Sequence, residues 1–284
     1  MRRLPLPESL VEQARAYADG SATPAEPHDA ATVVLLRSGT SEQAGPEIYL
    51  LRRQTSMAFA GGMCVFPGGG VDPRDFDHAV AWAGPSPREW AERLRVDEPM
   101  ARALVCAAVR ETFEESGVLL AGTAESVVED TTGADWEADR TALEARELSL
   151  TDFLHRRGLV LRSDLLGAWA GWLTPVFEPR RYRTWFFAAA LPEGQRTRDV
   201  STESTSVQWL PAMDAVARVE AEEIFMMPPT YLTCLDVGQF ATPVEVLEEA
   251  RSRQIDMFTP SVVPDGDGFV LSMPSRYESL VADR

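Results

Sequence analysis

The chain has 284 residues, 45% hydrophobic and 25% charged, which suits one large soluble domain or a core domain with substantial additions. Its formal net charge of −17 argues against a nucleic-acid partner, since phosphate backbones are bound through a surplus of basic groups. No apolar run approaches the length of a membrane span, so no membrane partner is expected either.

In chain order, residues 8–18 have the pattern of a short amphipathic helix, followed by a Pro/Ala/Ser linker at 20–29. Two apolar, β-rich runs at 31–36 and 48–51 predict a pair of strands separated by Gly, Ser and Pro. Met63-Cys64-Val65 reads as a third strand running into Phe66-Pro67-Gly68-Gly69-Gly70, a tight loop that exposes its backbone. Ser86-Pro87-Arg88-Glu89 has the capping-box pattern with Pro at the first helical position and predicts a helix to about Arg95. Asp97-Glu98-Pro99 then restarts the chain into a helix that Gly117 stops in a left-handed cap.

Residues 122–160 are acidic and mostly helical in pattern, with a final helix at 150–156, and read as an insertion beside the core. Aromatic-rich strands are expected at 169–173 and 183–191, and a short one at 206–210. Helical patterns follow at 211–222, 227–237 and 243–253, and residues 269–272 close the chain as a strand. Strands interleaved with long helical segments predict an α/β layered domain. The division expected is a helix and linker at 1–29, a main domain at 30–240 with insertions near 76–100 and 122–160, and a helix-and-strand extension at 241–284. With Pro85/Pro87 and Pro99 at its junctions, the 76–100 insertion is expected as a surface excursion over or beside the cleft that can select substrates.

The chemistry concentrates in Arg110-Glu111-Thr112-Phe113-Glu114-Glu115-Ser116-Gly117-Val118. Glu111, Glu114 and Glu115 stand at i, i+3 and i+4, so a helix places all three carboxylates on one narrow face. Like charges so placed repel, and a hard oxygen-only cluster suits Mg²⁺ or Mn²⁺. Val105, Cys106, Val109, Thr112 and Phe113 form the opposite, core-facing stripe, with Ala107 and Ala108 leaving room for a ligand above the acidic face. A bare E-x-x-E-E is more often a solvated helix face; the strand and glycine loop upstream tip the balance.

Other chemistries lack their residues. All 27 basic residues are arginine, and the chain has no lysine or asparagine. A Walker P-loop, a protein kinase and a Schiff-base enzyme each need Lys, and a Cys-His-Asn hydrolase needs Asn. His28, His78 and His155 are scattered, giving zinc no ligand set, and Cys64, Cys106 and Cys234 read as isolated buried thiols. The N-terminal residues lack a secretory core, so a cytoplasmic location is expected.

Together the glycine loop and the glutamate helix resemble the Nudix hydrolase superfamily, whose box reads G-x5-E-x7-R-E-U-x-E-E-x-G-U, with U aliphatic. Residues 110–118 match its second half, with Thr112 at the first aliphatic position. Gly69, five residues and Asp75 match the first half with Asp for Glu, but 34 residues separate Asp75 from Arg110 where the family usually has seven. Asp75, Asp97 or Glu98 can therefore be the partner of Arg110. The resemblance implies an α/β (α+β) fold, a Nudix α/β/α sandwich with a mixed sheet and helical insertions.

The resemblance also implies a diphosphatase, with Glu111, Glu114, Glu115 and Arg110 in the catalytic machinery. Metal would be held by Glu111, Glu114, Glu115 and the Gly68 carbonyl. Arg52, Arg53 and Gly69 are the substrate-binding candidates, and Glu203 or Glu178 stands beside the box glutamates as a candidate general base. A solvated loop position is the more ordinary role for both of those. Leu51-Arg52-Arg53, Phe59, Gly62 and Val65–Gly69, with Trp172–Pro175 and Met227-Pro228-Pro229, are similar to the animal-type coenzyme A diphosphatase branch. The substrate expected is a small-molecule diphosphate, coenzyme A or acyl-CoA first, with ADP-ribose, NADH or another nucleoside diphosphate derivative as the alternative. A catalytically silent ligand sensor is the alternative class. A homodimer is compatible with the sequence.

Overall fold

The computed structural model describes residues 6–39, 45–57, 60–266 and 268–282; Phe59 lies outside them. Helix α1 (Glu8–Ala18) precedes strands β1 (His28–Ser38), β2 (Pro46–Arg53), β3 (Cys64–Val65) and β4 (Gly68–Gly70). A 3₁₀ turn (Pro73–Phe76) and β5 (Trp82–Ala83) lead to helices α2 (Pro87–Leu94) and α3 (Glu98–Ser116). Then come β6 (Ala121–Gly122), α4 (Ala134–Glu144), α5 (Leu150–Arg157) and β7 (Val160–Arg162). Strands β8 (Leu166–Leu173), β9 (Tyr182–Ala190) and β10 (Ser204–Pro211) precede helices α6 (Ala212–Glu220), α7 (Pro228–Val237) and α8 (Pro243–Ser252). The chain continues through β11 (Met257–Phe258), β12 (Val262–Asp265), β13 (Gly268–Leu271) and α9 (Ser275–Ala282).

The main sheet has the order β10-β2-β1-β9-β8-β11, with β3 added to β2 and β4 to β1. It is mixed: β1 runs parallel to β9 over nine paired positions, while β1–β2, β2–β10 and β8–β9 are antiparallel. Side chains alternate across it as the pleat requires. Ala31, Val33, Leu35, Tyr49, Leu51, Trp185 and Phe187 join α2, α3, α4 and α5 in one core. Val34, Leu36, Ile48, Leu50, Phe186 and Ala188 join α6, α7, α8 and α9 in the other. The result is the expected three-layer α/β/α sandwich. Among the described residues no helix is long and apolar enough to cross a membrane.

Three expectations need correction. The stretch between the half-motifs stays out of the main sheet, but it is no surface excursion. Trp90 and Leu94 of α2 are buried in the α3 core, with Trp90 edge-on to Phe187 and the Trp185 indole donating to the Leu94 carbonyl. A helix whose apolar face meets a helix and a sheet packs, whatever its flanking prolines suggest. Within 122–160, helix begins only at Ala134; residues 121–122 and 160–162 pair instead as β6 and β7, joined by β5 in a small second sheet. The chain also does not close on a strand: α9 follows β13 and buries Tyr277, stacked on Trp172.

Candidate active site

Helix α3 is specified at both ends. The Asp97 carboxylate accepts from the Met100 amide at 2.8 Å, Pro99 occupies the first turn, and Gly117 takes the left-handed cap at φ 74°. Between them the helix is covered almost all round, so Ala107 and Ala108 lie fully buried in the core and leave no room for a ligand. Only Glu111 and Glu115 of the last turns are partly open. Thr112, where the motif has an aliphatic residue, is also buried, and its hydroxyl donates to the Ala108 carbonyl at 2.7 Å.

Arg110 organises the cluster from the side. Its Nε and Nη2 donate to the two Asp75 oxygens at 3.0 and 2.9 Å, so Asp75, and neither Asp97 nor Glu98, is its partner. Nη2 also reaches the Gly70 carbonyl at 3.1 Å, while Nη1 donates to Glu111 at 2.7 Å and lies 3.3 Å from Glu114. Burial works against the Arg110 charge, but the Asp75 hydrogen bond and the surrounding carboxylates outweigh it and keep the guanidinium protonated. Asp75 is 2% exposed and is held in turn by the Asp72 amide, in a capping box across the 3₁₀ turn.

The glycine loop closes on the same helix. The Gly68 amide donates to Glu115 Oε2 at 2.8 Å. A Cβ at Gly68 would meet the Ala31 carbonyl oxygen and Thr32 Cα, and one at Gly69 would run into the Glu111 carboxylate. Gly68 is thus demanded by close backbone approach, while at Gly69 the Glu111 carboxylate would have to shift. Gly69, the substrate-binding candidate, lies against Glu111, and the Gly68 amide makes the contact to Glu115.

All three glutamates hold their protons more strongly than ordinary carboxylates. Burial, and then the charge of Glu111, push Glu114 up to about 7; the same two causes raise Glu115 well above its usual value, against the Gly68 amide. Burial raises Glu111 as well, opposed by Arg110. One guanidinium is shared among too many carboxylates, and the site is short of positive charge. Among the described residues no group of three His, Cys, Asp or Glu side chains is arranged to hold a metal ion; Glu111 is bonded to Arg110 and Glu115 to the Gly68 amide. The donor set still fits a hard divalent ion chemically: three carboxylates on the last turns of one helix, Glu114 buried and Glu111 and Glu115 partly open.

The two candidate arginines separate. Strand β2 sends Tyr49 and Leu51 to the α3 side and Ile48 and Leu50 to the other, so Arg53 follows the former and Arg52 the latter. Arg53 Nη2 pairs with Glu203 at 2.7 Å, and the charges of both are felt at Glu115. Arg52 instead reaches the Gly62 carbonyl and influences the Cys64 thiol, on the sheet's far side. Placing the two together ignored the strand's period of two, which could have told them apart. Glu203 stands at the cluster mouth; Glu178 lies in the turn between β8 and β9, its amide bonded to the Pro175 carbonyl. Arg140 of α4, not among the sequence candidates, is 4% exposed and donates to the Glu114 carbonyl at 2.6 Å. Its signal was the Glu137, Arg140, Glu144 spacing at i+3 and i+4, which marks helix pairs but not their reach.

A glycine loop folded onto a glutamate-bearing helix in an α/β/α sandwich defines a Nudix hydrolase. Residues 85–235 match the family described as the NUDT19 Nudix domain, and the chain belongs to that family. It is 25% identical over 296 residues to acyl-coenzyme A diphosphatase NUDT19 of Gallus gallus, across 86% of this chain and 78% of that one. The Xenopus laevis protein of the same name is 25% identical over 265 residues, across 80% of this chain and 70% of that one. Among solved structures, a NUDIX hydrolase from Alicyclobacillus acidocaldarius superposes with a TM-score of 0.66 at 26% identity, covering 78% of this chain and 96% of that one.

Proposed function

We propose that this Nudix hydrolase cleaves the diphosphate of coenzyme A or an acyl-coenzyme A, using Mg²⁺ or Mn²⁺ held by Glu111, Glu114 and Glu115. The observation that carries the reading is the buried surplus of carboxylate on the last turns of α3, with its proton affinities raised by burial and mutual repulsion. The substrate choice is supported by the acyl-coenzyme A diphosphatases to which most of the chain is similar. A divalent cation there would neutralise the diphosphate oxygens and lower the pKa of the attacking water. Arg110 keeps Glu111 and Glu114 oriented. Arg53, on the same face, offers a planar fork to a phosphate. A carboxylate at this mouth takes the proton from the attacking water, and the Gly68 carbonyl is a further candidate donor to the cation.

The test is incubation with coenzyme A, an acyl-coenzyme A, ADP-ribose and NADH, with Mg²⁺ or Mn²⁺ and with chelator, followed by mass spectrometry of both products. A phosphopantetheine together with adenosine 3′,5′-bisphosphate is the expected pair. Efficient cleavage of ADP-ribose or NADH with no turnover of any coenzyme A species would overturn the substrate and leave the diphosphatase class standing. Ligand binding without hydrolysis of any of them would indicate a sensor.

A further inference from the structure

Glu203, an exposed carboxylate whose charge reaches Glu111 and Glu115, is not held by the sandwich alone. Its loop is tied from below by Gln54, whose amide donates to the Glu203 carbonyl at 2.9 Å and whose side chain donates to the Thr202 carbonyl at 2.7 Å. From the other side it is tied to the inserted helix α4. Glu144, the last residue of that helix, accepts from the Thr202 hydroxyl at 2.6 Å and from the Thr202 amide at 3.3 Å.

Helix α4 is in turn anchored to the glutamate helix. Arg140 spans the two Glu144 and Glu137 carboxylates, at 2.9 and 2.7 Å, while the same guanidinium donates to the Glu114 carbonyl. Glu137 also accepts from Arg198 at 2.5 Å, and the Arg198 amide donates to the Ser116 carbonyl at 2.8 Å. The main chain of the hydrolytic helix is thereby linked through Arg140, Glu144 and Thr202 to Glu203, which pairs with Arg53 and acts on Glu111 and Glu115 through its charge.

We propose that Glu144 and Thr202 form a strut that positions Glu203 at the cluster, so that the inserted helix is part of the hydrolytic site's framework. This rests on the reading of that cluster as the site of diphosphate cleavage. The physical case is that Glu203 is half exposed, with a side chain 53% accessible, and an exposed ion pair alone fixes little. Glu144 is 24% exposed and Arg140 5%, so the helix end of the strut is sheltered from water, while the Thr202 end is exposed and holds through two bonds to one carboxylate. An arm placed loosely by even about 1 Å can cost on the order of a hundredfold in rate.

Four variants test it: Thr202→Val, Thr202→Ser, Glu203→Gln and the double variant Thr202→Val/Glu203→Gln. Thr202→Val keeps the volume and removes the hydroxyl donor. It should lower kcat about tenfold with KM changed less than about twofold, and Thr202→Ser should restore kcat to within about twofold. In the Glu203→Gln background the Thr202→Val change should add less than about twofold, because the strut acts through Glu203. Equal losses in both backgrounds, or wild-type kcat in Thr202→Val, would overturn the proposal. Amide hydrogen exchange reads the strut without activity. Residues 199–205 should exchange faster in Thr202→Val while residues 134–144 are unchanged, and unchanged exchange at 199–205 overturns the strut. A wild type that cleaves no diphosphate would overturn the function reading and, with it, the claim that the strut serves hydrolysis.

Discussion

Arg110 and Asp75 stand 35 positions apart in the chain, yet meet as a two-bonded ion pair with Nε and Nη2 each on one carboxylate oxygen. Asp75 belongs to a one-turn 3₁₀ element and Arg110 to the middle of α3, so the pair staples the segment after the glycine loop to the glutamate helix. The residues between them form β5, α2 and the first turns of α3, and α2 and α3 pack into the core.

Removing one partner of a buried pair leaves a charge uncompensated and typically costs about 3–5 kcal/mol. Asp75→Asn should fall near the lower end, about 3 kcal/mol, because Arg110 keeps Glu111 and Glu114. Urea denaturation of the two proteins measures it. A loss under about 1 kcal/mol would mean that the staple is dispensable.

Glu114→Gln and Glu115→Gln should each lower kcat by roughly 10²–10³, the cost of about 3–4 kcal/mol of lost transition-state charge stabilisation. Their circular dichroism should match the parent's, since each removes a like charge from a crowded cluster. Parent-level turnover in either variant at saturating Mg²⁺ would show the metal assignment to be wrong.

The same crowding sets a pH dependence. Glu114 is raised to about 7 from an ordinary 4.5, and Glu111 and Glu115 are raised too. Between the unfolded and folded values the native state binds protons that the unfolded chain has released. Stability from this cluster is therefore present below the unfolded value and is lost as pH rises through the folded one. Carboxylates with depressed values, such as Asp72 at about 2, lose their contribution only at more acid pH and do not mask the effect. The metal-free protein should show a falling Tm from about pH 5 to about pH 7.5, with a shallower fall in Glu114→Gln. A flat or rising Tm over that interval in the metal-free parent would contradict it.

Arg53→Ala should raise KM for a coenzyme A substrate about tenfold, the loss of a charge-assisted contact, while Arg52→Ala should leave it within about twofold. Steady-state kinetics on both variants decide between the faces of β2. An Arg52 effect as large as that of Arg53 would place the substrate elsewhere.

Trp90 is fully buried against Phe187, and Trp90→Ala should cost about 3–5 kcal/mol. By the same packing, replacing residues 76–100 with a short linker should unfold the domain instead of altering its substrate preference. A soluble, cooperatively unfolding deletion with hydrolytic activity would refute this.

Local chemistry was readable from the chain because local rules wrote it. The Asp97 cap, the Gly117 stop and the i, i+3, i+4 glutamates are short-range features of one helix, and α3 begins and ends where they place it. The capping box at Ser86 likewise starts α2. The layered fold followed from strands interleaved with helical patterns. Tertiary structure alone decided which acid met Arg110, because Asp75, Asp97 and Glu98 were equivalent as residue types and only the path of 34 intervening residues chose among them. It also buried the α2 face, turned Arg53 toward the glutamates and Arg52 away, and brought α4 against the Glu114 carbonyl. Such contacts depend on how elements distant in sequence exclude water from one another, and no periodicity within a single element encodes that.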